Sequence, residues 1–134
     1  MILIISSEHR IKISESEWKV MEVIWEYGTI QSADVVKKLR LVTDWKDNTV
    51  YTLISRLAKK NMIRIDKSVS PDTCVTLVSK EEYCKNEQAS FLKRVYNGSL
   101  SLMLANIIED GSLSEDEIAD LKKILDSKTG SKGK

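Results

Sequence analysis

The hydrophobic period of this 134-residue chain switches near residue 61 and switches back near residue 79. Before the first switch, apolar residues recur at helical spacing. After Ser14 come Trp18, Met21 and Trp25, with Val20 and Ile24 alongside, and Gly28 closes the run. Ile30-Gln31-Ser32 reads as a short bridge or single strand, and Ala33 to Leu41 as a second helix with Val35, Val36 and Leu39 inward. A third helix is predicted from about Asp47 to Lys60, because Val50, Leu53, Ile54 and Leu57 make one apolar face. Asn61, which tolerates a left-handed backbone, ends it. Alternation then takes over: Ile63, Ile65 and Lys67 form one strand, Cys74 to Val78 its partner, and Ser68 to Thr73 the turn. Three short helices and a hairpin in 78 residues predict a winged helix-turn-helix.

Three S-x-x-E spacings mark helix starts: Ser14 with Glu17, Ser79 with Glu82, and Ser114 with Glu117. In each, the hydroxyl caps a free amide and the carboxylate reaches back to the cap. The second box opens a helix to Tyr96, which Gly98 interrupts. A helix from Ser99 to Glu109 is apolar almost all round, and a last one runs from Ser114 to Leu125. The fold class is therefore mainly α with a small β element. A winged helix-turn-helix domain spans residues 1–78, a three-helix dimerisation region 79–126, and a Ser/Lys/Gly-rich tail, predicted to be disordered, 127–134.

Composition narrows the function. One His, two Cys, one Pro and five Gly exclude a His-based triad, a multi-ligand metal site, a disulfide framework and a Gly-rich nucleotide fold. No enzyme activity, cofactor or metal is expected. The apolar start, Met1 to Ile5, is too short for a membrane span or signal core, so the chain reads as cytoplasmic, with Cys74 and Cys84 as reduced structural thiols. The net charge of +1 is uninformative, but six basic residues against two acidic ones lie between Lys46 and Lys67.

The outward face of the third helix carries Asn48, Thr52, Ser55 and Lys59, with Arg56 beside them. Asn pairs with adenine, Arg with guanine, and Ser and Thr with base edges or phosphates. Lys59, Lys60, Arg64 and Lys67 suit phosphates, which fix position without reading sequence. A solvated helix face has the same composition, and winged helices also serve as protein-docking modules. In the C-terminal third, Phe91, Val95, Leu100, Met103, Leu104, Ile107, Ile108, Ile118, Leu121 and Leu125 are the candidate dimer core. Three short helices cannot surround one that is apolar on every face, and a second copy of the same helices can.

Ile13 to Met21 followed by Ile24-Trp25, then Trp45, Thr49 to Leu57 and Lys59-Lys60, and finally Leu113 to Ile118, resemble the BlaI/MecI/CopY penicillinase-repressor family, ungapped from about Ile13 to Leu125. The resemblance implies a dimeric winged-helix repressor of antibiotic-resistance genes. Such a repressor binds pseudo-palindromic operators of TACA/TGTA type as double-stranded DNA. Thr49, Thr52, Ser55 and Arg56 match its pattern and are implied as operator contacts, and Lys46, Asn48 and Tyr51 are further DNA-binding candidates beside them. In the β-lactam branch, a membrane sensor protease triggers cleavage at an Asn-Phe bond, which matches Asn106-Ile107 here, with Ile in place of Phe. Methicillin-type members are basic where this chain has Asn48 and Tyr51, and Lys46-Asp47 stands where Ser-Pro is often found. The copper branch ends in a cysteine cluster that this tail lacks. The alternatives are a winged helix for protein docking, or a ligand- or metal-responsive repressor of the same family.

Overall fold

The computed structural model describes residues 11–68 and 71–132. Met1 to Ile5, His9, the turn residues Val69 and Ser70, and the last two tail residues lie outside the described residues. The elements run α1 (Glu15–Tyr27), β1 (Thr29–Gln31), α2 (Ser32–Arg40), α3 (Asp47–Lys59), β2 (Ile63–Asp66), β3 (Thr73–Thr76), α4 (Lys80–Tyr96), α5 (Leu100–Glu109) and α6 (Glu115–Lys132). The chain divides into two compact units, one up to Gln88 and one from Ala89.

In the first unit, α1 starts as its sequence dictates. Ser14 Oγ accepts from the Glu17 amide at 3.1 Å, and Glu17 Oε1 accepts from the Ser14 amide at 2.8 Å. The helix ends at Gly28, where φ is 73° and the amide donates to Ile24 O at 2.7 Å. That left-handed backbone suits glycine. Asn61 plays the same part after α3, with φ of 64°.

The short segment at Ile30 is a true strand. β1 pairs antiparallel with β3, which also pairs with β2, giving the order β1-β3-β2. Thr29 and Arg64 lie opposite Val75 from its two sides, and Ile30 and Ile65 lie opposite Cys74. By strand alternation, Ile30, Cys74 and Ile65 share the face toward the helices, and Arg64 belongs to the other. The core gathers Val20, Met21 and Ile24 of α1, Val35, Val36 and Leu39 of α2, the four predicted apolar residues of α3, then Met62, Ile63 and Cys74. Fully burying each large side chain is worth roughly 1.5–3 kcal/mol.

The expected boundary at residue 78 falls inside this packing. Tyr83, on α4, is buried with the core, 6.0 Å from the Trp18 ring and 6.2 Å from that of Trp25. Its hydroxyl accepts from the Ile13 amide at 3.2 Å, and Trp25 Nε1 donates to Val78 O at 2.8 Å. Two aromatic residues of one helix needed a third from another, so the first turns of α4 complete the head.

In the second unit no described side chain is fully buried. Phe91, Val95, Leu100, Ile108 and Leu125 are exposed, and Met103, Leu104, Ile107, Ile118 and Leu121 are half-buried. Helix α5, expected to be buried on most sides, is therefore not buried within one chain, for two neighbouring helices cannot enclose it. The predicted disordered tail is corrected as far as Lys132: α6 continues through Ser127 to Lys132. Thr129 Oγ1 donates to Leu125 O at 2.8 Å, and neither Pro nor Gly lies between Leu125 and Thr129 to stop the helix.

Candidate nucleic-acid interface

Helix α3 presents its two faces as its spacing predicts. Val50, Leu53, Ile54 and Leu57 are buried, and Asn48, Thr49, Tyr51, Thr52, Ser55, Arg56 and Lys59 are exposed. Lys46 stands exposed at the helix entrance, its side chain making no cap. Among the described residues, no ion pair engages Lys46, Arg56, Lys59 or Lys67. Their charges face solvent, as phosphate binding requires.

A cleft of about 340 Å³ lies between this helix, the start of α2 and the hairpin. Tyr51 and Ser55 line it from α3, Ser32 and Ala33 from α2, and Ile65, Lys67, Pro71 and Asp72 from the hairpin. The structure thus brings Lys67 to the same groove as Tyr51 and Ser55. Alternation could not assign the α2 and Pro71-Asp72 walls, because chain folding alone brings them beside Tyr51 and Ser55, and there the Ser32 amide donates to Asp72 O at 3.0 Å.

Two predicted residues stand apart. Arg64 lies on the opposite strand face, its guanidinium 3.9 Å from Asp66. Lys60 turns inward: its Nζ donates to Glu17 Oε1 at 2.6 Å and to Lys12 O at 2.9 Å. Glu17 is almost fully buried, so this ammonium is the counter-charge of a buried carboxylate. Burial pushes the Glu17 carboxyl up, but the Lys60 hydrogen bond and the Ser14 amide outweigh it and hold it below its ordinary value.

One pair went unforeseen. Arg40, the last residue of α2, grips Asp47, the first of α3, with Nε at 3.0 Å from one carboxylate oxygen and Nη2 at 2.5 Å from the other. No sequence spacing signals it, because the two residues face each other only across a loop.

The cysteines have separate surroundings. Cys74 is buried, 3.4 Å from Ser32 Oγ, and burial pushes its thiol up. Cys84 is half-buried on α4, and both are free. Among the described residues no group of three or more His, Cys, Asp or Glu could hold a metal ion, and no helix is long and apolar enough to cross a membrane.

The family model described as penicillinase repressor matches residues 13–127. The chain is 34% identical over 115 residues to the penicillinase repressor of Bacillus licheniformis, covering 86% of this chain and 90% of the relative. It is 32% identical over 117 residues to the methicillin resistance regulatory protein MecI of Staphylococcus aureus, covering 87% and 95% respectively. The solution structure of the DNA binding domain of the repressor BlaI matches with a TM-score of 0.51 at 28% identity, covering 55% of this chain and 90% of that domain. That family is one of repressors and not of enzymes. A match over nearly all of the described residues, on a winged-helix head of the same architecture, places the chain in the penicillinase repressor family.

Proposed function

We propose that this chain is a cytoplasmic, homodimeric transcriptional repressor that binds a pseudo-palindromic operator of TACA/TGTA type and controls β-lactam resistance genes. The observation that carries the reading is the exposed polar and basic face of α3, set beside the hairpin groove on a rigid apolar core. Helix-turn-helix proteins enter the major groove with such a helix, and a two-fold dimer matches a palindrome with two heads. Arg56 and Asn48 are suited to base edges, Thr49, Thr52 and Ser55 to either bases or phosphates, and Lys46, Lys59 and Lys67 to phosphates.

The second copy supplies what the C-terminal helices lack. Leu100, Leu102 and Ile108 of α5 and Ile124 and Leu125 of α6 are each about half exposed in one chain, between 49% and 59%. Pairing two chains through them removes apolar surface from water and couples the heads, so that one bound head raises the local concentration of the other. Release then follows from breaking the dimer. A membrane sensor protease acting at Asn106-Ile107 would cut α5 in its middle and separate α6 from the rest. Asn106 is exposed and Ile107 half-buried, in a helix without a fully buried side chain.

Titration against a labelled duplex carrying the palindrome, at two salt concentrations and beside a scrambled duplex, tests the reading. Selective binding with two protomers per duplex near physiological salt is expected. Equal, weak and salt-sensitive binding to both duplexes would overturn the operator assignment.

A further inference from the structure

Asp47 opens α3 with a carboxylate. For the helix this is favourable, since an anion complements the positive end of the helix dipole. For DNA binding it is the wrong charge, because the N-terminal residues of a recognition helix are the ones that approach the duplex. Arg40 answers that conflict. Its guanidinium holds both carboxylate oxygens, at 3.0 and 2.5 Å, and both side chains are about half exposed (55% and 47%). Burial therefore does not hide the Asp47 charge, and the arginine is its only ion-pair partner among the described residues. The Asp47 carboxyl is held below its ordinary value, by the Arg40 hydrogen bond first, so it is fully ionised at neutral pH.

The pair is not what closes the loop between α2 and α3. Thr43 does that: its amide and its hydroxyl both donate to Leu39 O at 2.9 Å, and its hydroxyl accepts from the Trp45 amide at 3.3 Å. Trp45 packs against the core from within the loop.

We propose that Arg40 is a positioning residue for DNA binding, which acts by masking Asp47 from the phosphates while leaving it at the start of the recognition helix. The proposal rests on the DNA-binding reading above and adds to it a residue outside the reading face.

The test compares the full-length wild type, Arg40→Gln, Asp47→Asn and the double variant on the palindromic and the scrambled duplex at two salt concentrations, with thermal melts of each. Masking predicts that Arg40→Gln weakens binding roughly tenfold at low salt, less at high salt, on both duplexes. Asp47→Asn should bind as tightly as wild type or tighter, with a salt slope steeper by about one, because it frees a guanidinium. The double variant should return to within about threefold of wild type.

A double variant as weak as Arg40→Gln would overturn the proposal, since Arg40 would then touch DNA itself. So would an Asp47→Asn variant as weak as Arg40→Gln, which would mean the pair acts through shape. Unchanged binding by Arg40→Gln would overturn it as well. If Arg40→Gln does not fold, Asp47→Asn decides alone: binding as tight as wild type or tighter supports masking, and weaker binding overturns it. A wild type that binds neither duplex would sink the DNA-binding reading itself, whereas the variant patterns bear only on masking.

Discussion

Lys60 Nζ lies 2.6 Å from Glu17 Oε1 across 43 positions of sequence, joining the end of α3 to the capping box of α1. Glu17 thus has two duties, one read from its spacing to Ser14 and one that only the folded chain reveals. Lys60 belongs to the scaffold that holds the basic face in place.

Replacing Lys60 should therefore cost stability before it costs DNA affinity. Lys60→Ala leaves a buried carboxylate without its counter-charge. Breaking a fully buried pair costs about 3–5 kcal/mol. The Lys60 side chain is 37% exposed, and water can partly replace it, so a loss of roughly 1–3 kcal/mol is expected. Urea denaturation measures it. An unchanged midpoint would show that the pair contributes nothing.

Acid should act on the same contact. The Glu17 carboxyl lies below its ordinary value in the folded chain. Its contribution is complete above the unfolded value, about 4.3, and drains away as pH falls through the lower folded value. Glu17→Gln should thus be less stable than wild type at pH 7, with the gap closing below about pH 4. Parallel stability-pH curves for the two proteins would refute the linkage.

On the reading face, Arg56→Ala and Lys59→Ala should fail differently. If Arg56 holds a guanine edge, its loss costs about 1–3 kcal/mol and relaxes preference at one base pair. Loss of Lys59 should weaken all duplexes alike and reduce the salt slope by about one. Competition with single-base operator variants distinguishes these outcomes. Uniform weakening by both variants would make Arg56 a phosphate contact.

The dimer is tested within α5. Leu104→Glu places a charge among the apolar residues of the proposed interface and should shift the full-length chain from dimer to monomer at low micromolar concentration, as read by sedimentation. Trp18, Trp25 and Tyr83 all lie in the first unit, so melting of the full-length variant's near-ultraviolet signal should not change. A variant that sediments as a dimer would remove α5 from the interface.

Cleavage should mimic that variant. A chain ending at Asn106 lacks Ile107, Ile108 and all of α6. It should be monomeric and lose the gain in palindrome affinity that comes from two linked heads. If it stays dimeric at low micromolar concentration with full affinity, cutting this bond is not an off-switch.

The contrast between Glu17 and Arg40 shows which features sequence can reveal. Capping boxes, the two faces of α3 and the change of period at Asn61 are local, since each depends on residues within a turn or a strand of one another. They predict the helices, the hairpin and the exposed polar face of α3. The Lys60 and Arg40 pairs, the pairing of β1 with β3 and the seat of Tyr83 join residues that only chain closure brings together. Spacing could not reveal them, so a basic stripe in sequence combined residues as different as Lys59, exposed, and Lys60, bound to a buried acid. The tail was misread for another reason. Its Ser, Lys and Gly suggested disorder by composition, although nothing from Ser127 to Thr129 forbids a helix already under way.

The seat of Tyr83 also sets an order of events during synthesis. The sheet waits for Thr76, and the aromatic cluster on α1 waits for Tyr83. Both have been made about 17 residues before Leu100, the first residue of α5. At about 5–20 residues per second, the ribosome needs about 1–3 s for that stretch. All the parts of a head are thus made before the first residue of the apolar α5 helix, so the core of the first unit depends on nothing that α5 supplies.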